Sequence, residues 1–279
     1  MTILDAHVHF VDPSRPEGVP FPDPADPLYR PTLPRHLRAV AGPLGVTGAI
    51  AIEWSDRFAD NQWLLDLAAE DPFVAGVVGN LQPGTPGFAG RLARYVRRPR
   101  FAGIRVGTPW SPLLPADPQF IADVRLLAEN GLALDTVQVG GGGVELLTTL
   151  LALLERAPEL RIVIDHLPFP QPDDRAARGV FRRALGTLAK RAQVYVKISN
   201  VLPRTGVPPR DPAAYTEVLD ELFALFGPDR VMYASNWPVS TRVAPYADAL
   251  AVVQAYVTRW KPAIADRFFE GNARAAYRV

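Results

Sequence analysis

Residues 5–9 read Asp5-Ala6-His7-Val8-His9 and belong to the first of eight short apolar stretches that decide the fold class. Longer stretches of helical periodicity separate these eight. One of them, at 117–130, begins with Asp-Pro, a favourable N-cap and first-turn pair. Eight strands separated by helices predict a parallel sheet, and that number favours closure into a (β/α)8 (TIM) barrel of the α/β class. The predicted strands cover residues 3–8, 48–53, 74–79, 102–106, 132–137, 161–165, 194–199 and 230–235.

The bulk composition limits the classes of partner. The chain has 279 residues, of which 48% are hydrophobic, and this suits a single barrel domain over residues 1–279. The formal net charge is +1, so we expect a small-molecule partner and neither nucleic acid nor an anionic membrane. The lack of cysteine excludes disulfides and thiolate metal sites. No stretch reaches the roughly 20 apolar residues of a membrane span. The N-terminus does not read as a secretory signal, and we therefore expect a soluble, cytoplasmic protein.

Three of the four histidines lie at the ends of predicted strands, where TIM barrels carry their active sites. His7 and His9 alternate along the first strand and therefore face the same side. His166 follows the sixth strand, and Asn236 follows the eighth. The fourth histidine, His36, lies among arginines on a predicted helix, where we expect it to be exposed. The first three histidines and Asn236 are the candidate catalytic residues.

Several motifs resemble those of the amidohydrolase superfamily. They are HVH at 7–9, FAGIRVG at 101–107, IDHL at 164–167, VYVKIS at 194–199 and ASNWPV at 234–239. The closer resemblance is to the "amidohydrolase 2" branch, which includes sugar lactonases and the 2-pyrone-4,6-dicarboxylate lactonase, and it covers nearly the whole chain. It implies a distorted (β/α)8 barrel that activates water against a carbonyl carbon.

The resemblance also implies two ways of using the histidines. In metal-using members, the HxH pair, a strand-six histidine and a strand-eight aspartate surround a divalent ion, which lowers the pKa of its bound water. By this pattern His7, His9 and His166 would hold a Zn²⁺ or a similar ion here. Other lactonases of the branch work without metal, and their histidines bind the substrate carbonyl instead. Both possibilities remain open for this chain, and no cofactor is favoured.

The sequence departs from the metal-using pattern at two strands. The fifth strand offers only Asp135 and Gln138 in place of a histidine, and Asn236 stands where the hydrolytic aspartate would stand. An amide is a weak ligand and cannot accept a proton near neutral pH. This leaves the general base open, and we rank the histidines first and Glu53 second.

Two further carboxylates enter the search for a general base. Asp5 is expected on the same strand face as the HxH pair, but deeper in the barrel. Asp165 precedes His166 and is expected to face the other way.

Two cations on predicted strands are candidates for substrate binding. Arg105 and Lys197 would bind a carboxylate or an oxyanion, because a buried cation is costly unless it is paired. The alternative for both is an internal salt bridge with Asp5, Asp135 or Glu53.

Tryptophans follow several strand ends, and Glu53 and Trp237 complete the candidate substrate-binding set. Trp54, Trp110 and Trp237 would wall a ring-shaped pocket or serve only in packing.

The leading hypothesis is a hydrolase that acts on the carbonyl carbon of a small cyclic ester, a lactone carrying carboxylate or hydroxyl groups. Ester attack needs less leaving-group assistance than amide cleavage, so a site without a strong carboxylate base favours a lactone. A metal-free isomerase or rearrangement enzyme is the first alternative, and a non-catalytic small-molecule-binding barrel is the second.

Overall fold

The computed structural model describes residues 2–107, 114–137, 143–167, 172, 174–202, 208–209 and 211–279. Eight parallel strands form one sheet, and each pairs with its neighbours in sequence. The strands are β1 (Ile3–Val8), β2 (Val46–Ile52), β3 (Val74–Gly79), β4 (Phe101–Val106), β5 (Ala133–Thr136), β6 (Arg161–Leu167), β7 (Val194–Ile198) and β8 (Val231–Tyr233). The predicted barrel is confirmed, and the strand ends differ from the predicted ones by no more than two residues.

Helices connect the strands and surround the barrel. They are α1 (Pro34–Ala41), α2 (Asp60–Glu70), α3 (Phe88–Ala93), α4 (Pro118–Glu129), α5 (Val144–Arg156), α6 (Arg175–Leu188), α7 (Thr216–Phe226), α8 (Tyr246–Val257), α9 (Pro262–Asp266) and α10 (Asn272–Tyr277). The predicted N-cap of α4 is confirmed, because the Asp117 carboxylate accepts hydrogen bonds from the amides of Gln119 and Phe120. Within the described residues, no helix is both long and apolar enough to cross a lipid bilayer.

The barrel closes through a seam between β1 and β8. In the described part of the chain these strands share one isolated parallel bridge, between Val8 and Trp237. The amide of His9 donates to the Trp237 carbonyl at 2.8 Å, and the amide of Asn236 donates to the His7 carbonyl at 2.9 Å. The Ser235 amide donates to the Asp5 carboxylate at 2.9 Å, so at this point of the seam a side chain takes the place of a backbone acceptor. The seam therefore ties the HxH segment to the residues that follow β8.

An apolar cluster lies inside the barrel, and α10 covers the amino-terminal end of the strands. This buried cluster contains residues of the strands, of α10 and Ala234 just after β8, and includes Leu4, Ala6, Val163 and Met232. Tyr277 of α10 enters this cluster from the amino-terminal end of the strands. A larger cluster lies between the strands and the surrounding helices. The interior cluster marks which side chains of each strand face inward.

Candidate active site

Three imidazoles meet at the carboxyl end of the barrel. The Nε2 atoms of His7 and His9 lie 3.1 Å apart, and the rings of His7 and His166 have centroids 4.5 Å apart. His9 Nδ1 lies 3.1 Å from the carbonyl oxygen of Ile52, which can only accept, so His9 carries a proton on Nδ1. His166 Nδ1 lies 2.8 Å from the hydroxyl oxygen of Ser199. His36 is far from this cluster in sequence and lies on α1, partly exposed.

A bulge in β1 separates His7 from Asp5. The pairing of β1 with β2 shifts register between Asp5 and Val8. Asp5 lies between two inward-facing residues, and its Oδ2 accepts from the hydroxyl of Tyr246 on α8, outside the barrel, at 2.9 Å. The expectation that Asp5 shares a face with His7 and His9 was wrong, because strict alternation does not survive a bulge. Asp5 is a seam residue and lies outside the histidine cluster.

Asp165 lies inside the barrel, contrary to the expectation from sequence. Val163 belongs to the interior cluster, and alternation then directs Asp165 inward as well. His166 also reaches the site because its backbone adopts a left-handed conformation, with φ of 62°. Asp165 Oδ1 lies 3.4 Å from His7 Nδ1. The expectation that Asp165 faces away was therefore wrong, since consecutive residues at the end of β6 both point into the site.

A buried charge network lies directly beneath His7. The Lys197 ammonium is fully buried, 2.6 Å from Asp135 Oδ2 and 2.9 Å from Asp165 Oδ1. It also lies 3.1 Å from His7 Nδ1. Asp135 Oδ2 accepts a second hydrogen bond from the Tyr277 hydroxyl at 2.7 Å. Of the salt-bridge partners predicted for Lys197, the structure shows Asp135 and adds Asp165. We name these four residues (Asp135, Asp165, Lys197 and Tyr277) the buried network.

Arg105 and Glu53 form an ion pair at the rim of the barrel. Arg105 Nε donates to Glu53 Oε1 at 2.6 Å, and Arg105 donates through Nη2 to the Glu53 carbonyl at 2.9 Å. Both side chains keep partial solvent contact, at 13% and 17% exposure. Two residues before Arg105, Gly103 lets β4 approach the start of β5, because a Cβ atom at Gly103 would lie 2.4 Å from the carbonyl oxygen of Ala133. Because both side chains contact solvent, the ion pair is accessible to polar groups of a ligand.

Asn236 is held at the end of β8 by a left-handed backbone, with φ of 58°. Its side-chain Nδ2 donates to Asn200 Oδ1 at 3.1 Å, and Asn200 has φ of 52°. Asn236 is buried, and its Oδ1 accepts no hydrogen bond from the described residues. A buried acceptor of this kind is suited to a water or a ligand hydroxyl.

The tryptophans differ in their surroundings. The ring of Trp54 lies 4.9 Å from that of His9 and 5.4 Å from that of Phe21, which is 50% exposed. Trp237 is buried and packs against Phe10. Trp54 and Phe21 therefore border the histidine cluster, whereas Trp237 holds the seam. Trp110 and Gln138, both singled out in the sequence, lie outside the described residues.

A family model described as Amidohydrolase matches residues 4–279, which is nearly the whole chain. The chain belongs to this amidohydrolase family. The family resemblance inferred from the HVH, IDHL and ASNWPV motifs is thus confirmed.

The chain is also similar to individual members with known activities or structures. This amidohydrolase is 29% identical to an L-fucono-1,5-lactonase of Burkholderia ambifaria, over 98% of this chain and 91% of the relative. A crystal structure of a Burkholderia multivorans amidohydrolase with bound HEPES is 25% identical, covers 100% of both chains and has a TM-score of 0.86. A second structure of that protein, with bound zinc, has a TM-score of 0.85 at the same identity and coverage.

The electrostatics of the amidohydrolase site favour neutral imidazoles. Burial and then the Lys197 ammonium lower the pKa of His7 well below its usual range. Burial and then Arg105 do the same to the pKa of His9. Burial raises the pKa of Asp135 to about 6, whereas for Asp165 the effect of burial is outweighed by Lys197 and His7, which hold its pKa well below its usual range.

Sequence reasoning misplaced Asp165 and missed Tyr277. Asp165 could have been found from the alternation of inward-facing residues in β6 and from the need of a buried lysine for counter-charge. Tyr277 carried no such signal, because its hydroxyl reaches Asp135 from a helix 142 positions further along the chain.

Proposed function

We propose that this amidohydrolase hydrolyses the ring ester of a small lactone that carries hydroxyl or carboxylate groups. The observation that carries the proposal is the cluster of His7, His9 and His166 beside the Arg105–Glu53 pair. The similarity to an L-fucono-1,5-lactonase supports a 1,5-lactone of a sugar acid as the substrate class. The partly exposed ion pair supports the same class, because it offers a donor and an acceptor to ring substituents.

Two groups are placed to stabilise the oxygen of the lactone carbonyl. His7 Nε2 faces the histidine cluster, and its proton, which lies within reach of His9 Nε2, would be donated to the carbonyl oxygen of a lactone bound beside both rings. Arg105 adds a permanent positive charge at the rim. Donors directed at an oxygen that becomes negative in the transition state lower the barrier to attack. Asn236 Oδ1 would orient the attacking water by accepting a hydrogen bond from it.

His166 is the proposed general base. Its ring is partly exposed, unlike those of His7 and His9, so it can exchange protons with solvent. As water attacks the carbonyl carbon, His166 takes its proton. The ring C–O bond then breaks, and the same proton passes to the departing ring oxygen. The product is the open-chain hydroxy acid, and no reactant other than water is consumed.

The residues of this chain do not fit the divalent ion that the family pattern implies. The position of the acidic strand-eight ligand holds the neutral amide of Asn236. The carboxylates of Asp135 and Asp165 are already paired with Lys197, whose ammonium lies 3.1 Å from His7. A resident ammonium at this distance opposes a second cation on the same imidazole. The proposed steps therefore use only side chains of this protein.

The test is hydrolysis of L-fucono-1,5-lactone and related sugar lactones. A pH indicator measures acid release, and mass spectrometry of the product formed in ¹⁸O-labelled water measures incorporation of the label. We expect acid release with one ¹⁸O in the carboxylate. His166→Gln should lower kcat/KM by about 100-fold or more, and His36→Gln, which changes a histidine of α1, is the matched control.

Two outcomes would overturn the proposal. Conversion of the lactone without ¹⁸O incorporation would indicate an isomerase or a rearrangement. Saturable binding of lactones without any conversion would indicate a non-catalytic binding protein.

A further inference from the structure

The position of Lys197 sets which nitrogen of His7 carries the proton. An ammonium group has three N–H donors and no lone pair, so it can only donate. Lys197 Nζ lies 3.1 Å from His7 Nδ1, in hydrogen-bonding geometry. His7 Nδ1 must then accept, and the ring proton of neutral His7 must lie on Nε2.

His9 completes this assignment independently. Its Nδ1 proton donates to the Ile52 carbonyl, so in the neutral ring Nε2 holds a lone pair. His9 Nε2 lies 3.1 Å from His7 Nε2, which fits a hydrogen bond only if His7 carries the proton there. Both neighbours of His7 therefore require the same tautomer.

Asp165 offers the competing arrangement. Its Oδ1 lies 3.4 Å from His7 Nδ1 and would accept a proton from that nitrogen if the ammonium were absent. His7 would then expose a lone pair at Nε2, beside the lone pair of His9. Two imidazole nitrogens with lone pairs at this separation can bind one zinc ion. Whether an imidazole nitrogen has a free lone pair depends on the hydrogen bond that the other nitrogen of the same ring makes.

We propose that Lys197 is a positioning residue, which holds His7 as a hydrogen-bond donor at Nε2 and keeps the His7–His9 pair from binding a divalent ion. The tautomer follows from the contacts of the buried network, whereas its use in lactone hydrolysis rests on the proposed function. Lys197 thus acts on the substrate through His7 and does not itself reach it.

The wild-type protein gives the first test. Long-range ¹H–¹⁵N correlation spectra of the ¹⁵N-labelled protein report which ring nitrogen of each of the four histidines is protonated, and His7→Gln assigns the His7 signals. We expect the Nε2-protonated form of His7 at pH 8. An Nδ1-protonated His7 would overturn the proposal, whether or not the protein turns over lactones.

Removal of the ammonium gives the second test. Lys197→Met combined with Asp135→Asn removes one positive and one negative charge, so the net charge of the buried network is unchanged. We expect the His7 proton to move to Nδ1, towards Asp165, and the zinc affinity measured by calorimetry to rise about tenfold or more. Lys190→Met changes an exposed lysine and is the matched control.

The outcomes separate the two proposals. An unchanged tautomer together with unchanged zinc affinity in a folded double variant would overturn the role of Lys197. If the double variant does not fold, the tautomer of His7 in the wild-type ¹H–¹⁵N spectrum decides whether the proposal stands. Lack of lactone turnover with the expected tautomer would contradict the proposed function alone.

Discussion

Asp5 at the barrel seam makes the stability of this protein depend on pH in an unusual direction. Its carboxyl group is fully buried, and burial raises its pKa from 3.8 to about 6 in spite of hydrogen bonds from Ser235, His7 and Tyr246. The folded protein therefore binds the Asp5 proton more tightly than the unfolded chain does. The contribution of Asp5 to the free energy of unfolding is complete below pH 3.8, falls as the pH rises to about 6, and is constant above that value.

The size of the effect follows from the two pKa values. A difference of about 2 pH units corresponds to about 3 kcal/mol, at 1.36 kcal/mol per unit. Asp5→Asn removes the titration but keeps a side-chain oxygen that can accept from the Ser235 amide. Relative to wild type, the free energy of unfolding of Asp5→Asn should therefore increase by about 2.4 kcal/mol between pH 4 and pH 7, because a part of the full change falls below pH 4.

Urea unfolding of both proteins, followed by circular dichroism at half-unit steps of pH, measures this difference directly. Asp229→Asn removes an exposed carboxylate with a side chain 69% accessible to solvent and is the matched control. Unfolding free energies of wild type and Asp5→Asn that run parallel from pH 4 to pH 7 would refute the reasoning. The carboxyl group of Asp5 would then titrate alike in both states.

Three further substitutions probe the rim of the site. Asn236→Asp restores a carboxylate at the end of β8, so we expect tighter zinc binding by calorimetry; unchanged affinity would place this side chain away from the imidazoles. Trp54→Ala removes the ring beside His9, and KM for sugar lactones should rise about three- to tenfold with kcat nearly unchanged. An unaltered KM would show that Trp54 only packs. Arg105→Lys keeps the charge but loses the paired donors to Glu53, and kcat/KM should fall about tenfold or more. Wild-type kinetics in that variant would exclude a role in substrate binding.

The sequence predicts the barrel well because periodicity is a local property. Each strand is a short apolar run, and the closure of eight such runs needs no knowledge of long-range contacts. The clustering of His7, His9 and His166 follows from the same pattern, since carboxyl ends of parallel strands meet at one face. Alternation fails where the backbone departs from a regular strand. Asp5 faces outwards by regular alternation with Leu4 and Ala6, and the bulge that follows it turns His7 inwards. The left-handed backbone of His166 brings its ring to the same side as Asp165.

The buried network shows a second limit of sequence reasoning. That a lysine inside a barrel needs counter-charge is a physical rule, and it correctly names Asp135 among the partners of Lys197. The rule does not say how many carboxylates gather around one ammonium, nor that a tyrosine from the end of the chain joins them. Those contacts depend on how α10 packs into the barrel, which no local pattern encodes.

Lys197 and Asn236 change the electrostatics of the site in the same direction. The amide at the end of β8 removes a negative charge that would attract a divalent ion, and the ammonium adds a positive charge beside His7. The ammonium lies at Nδ1, so an ion on Nε2 of the same ring would be about 7 Å away from it. Two unit positive charges about 7 Å apart repel by about 2 kcal/mol at an effective dielectric constant near 20, and a divalent ion doubles that value. Either change alone weakens a metal site. Both together leave the imidazoles available for hydrogen bonding to a substrate. Neutral rings with fixed tautomers can donate to and accept from a substrate, and here the Lys197 ammonium fixes the tautomer of His7 while the Ile52 carbonyl fixes that of His9.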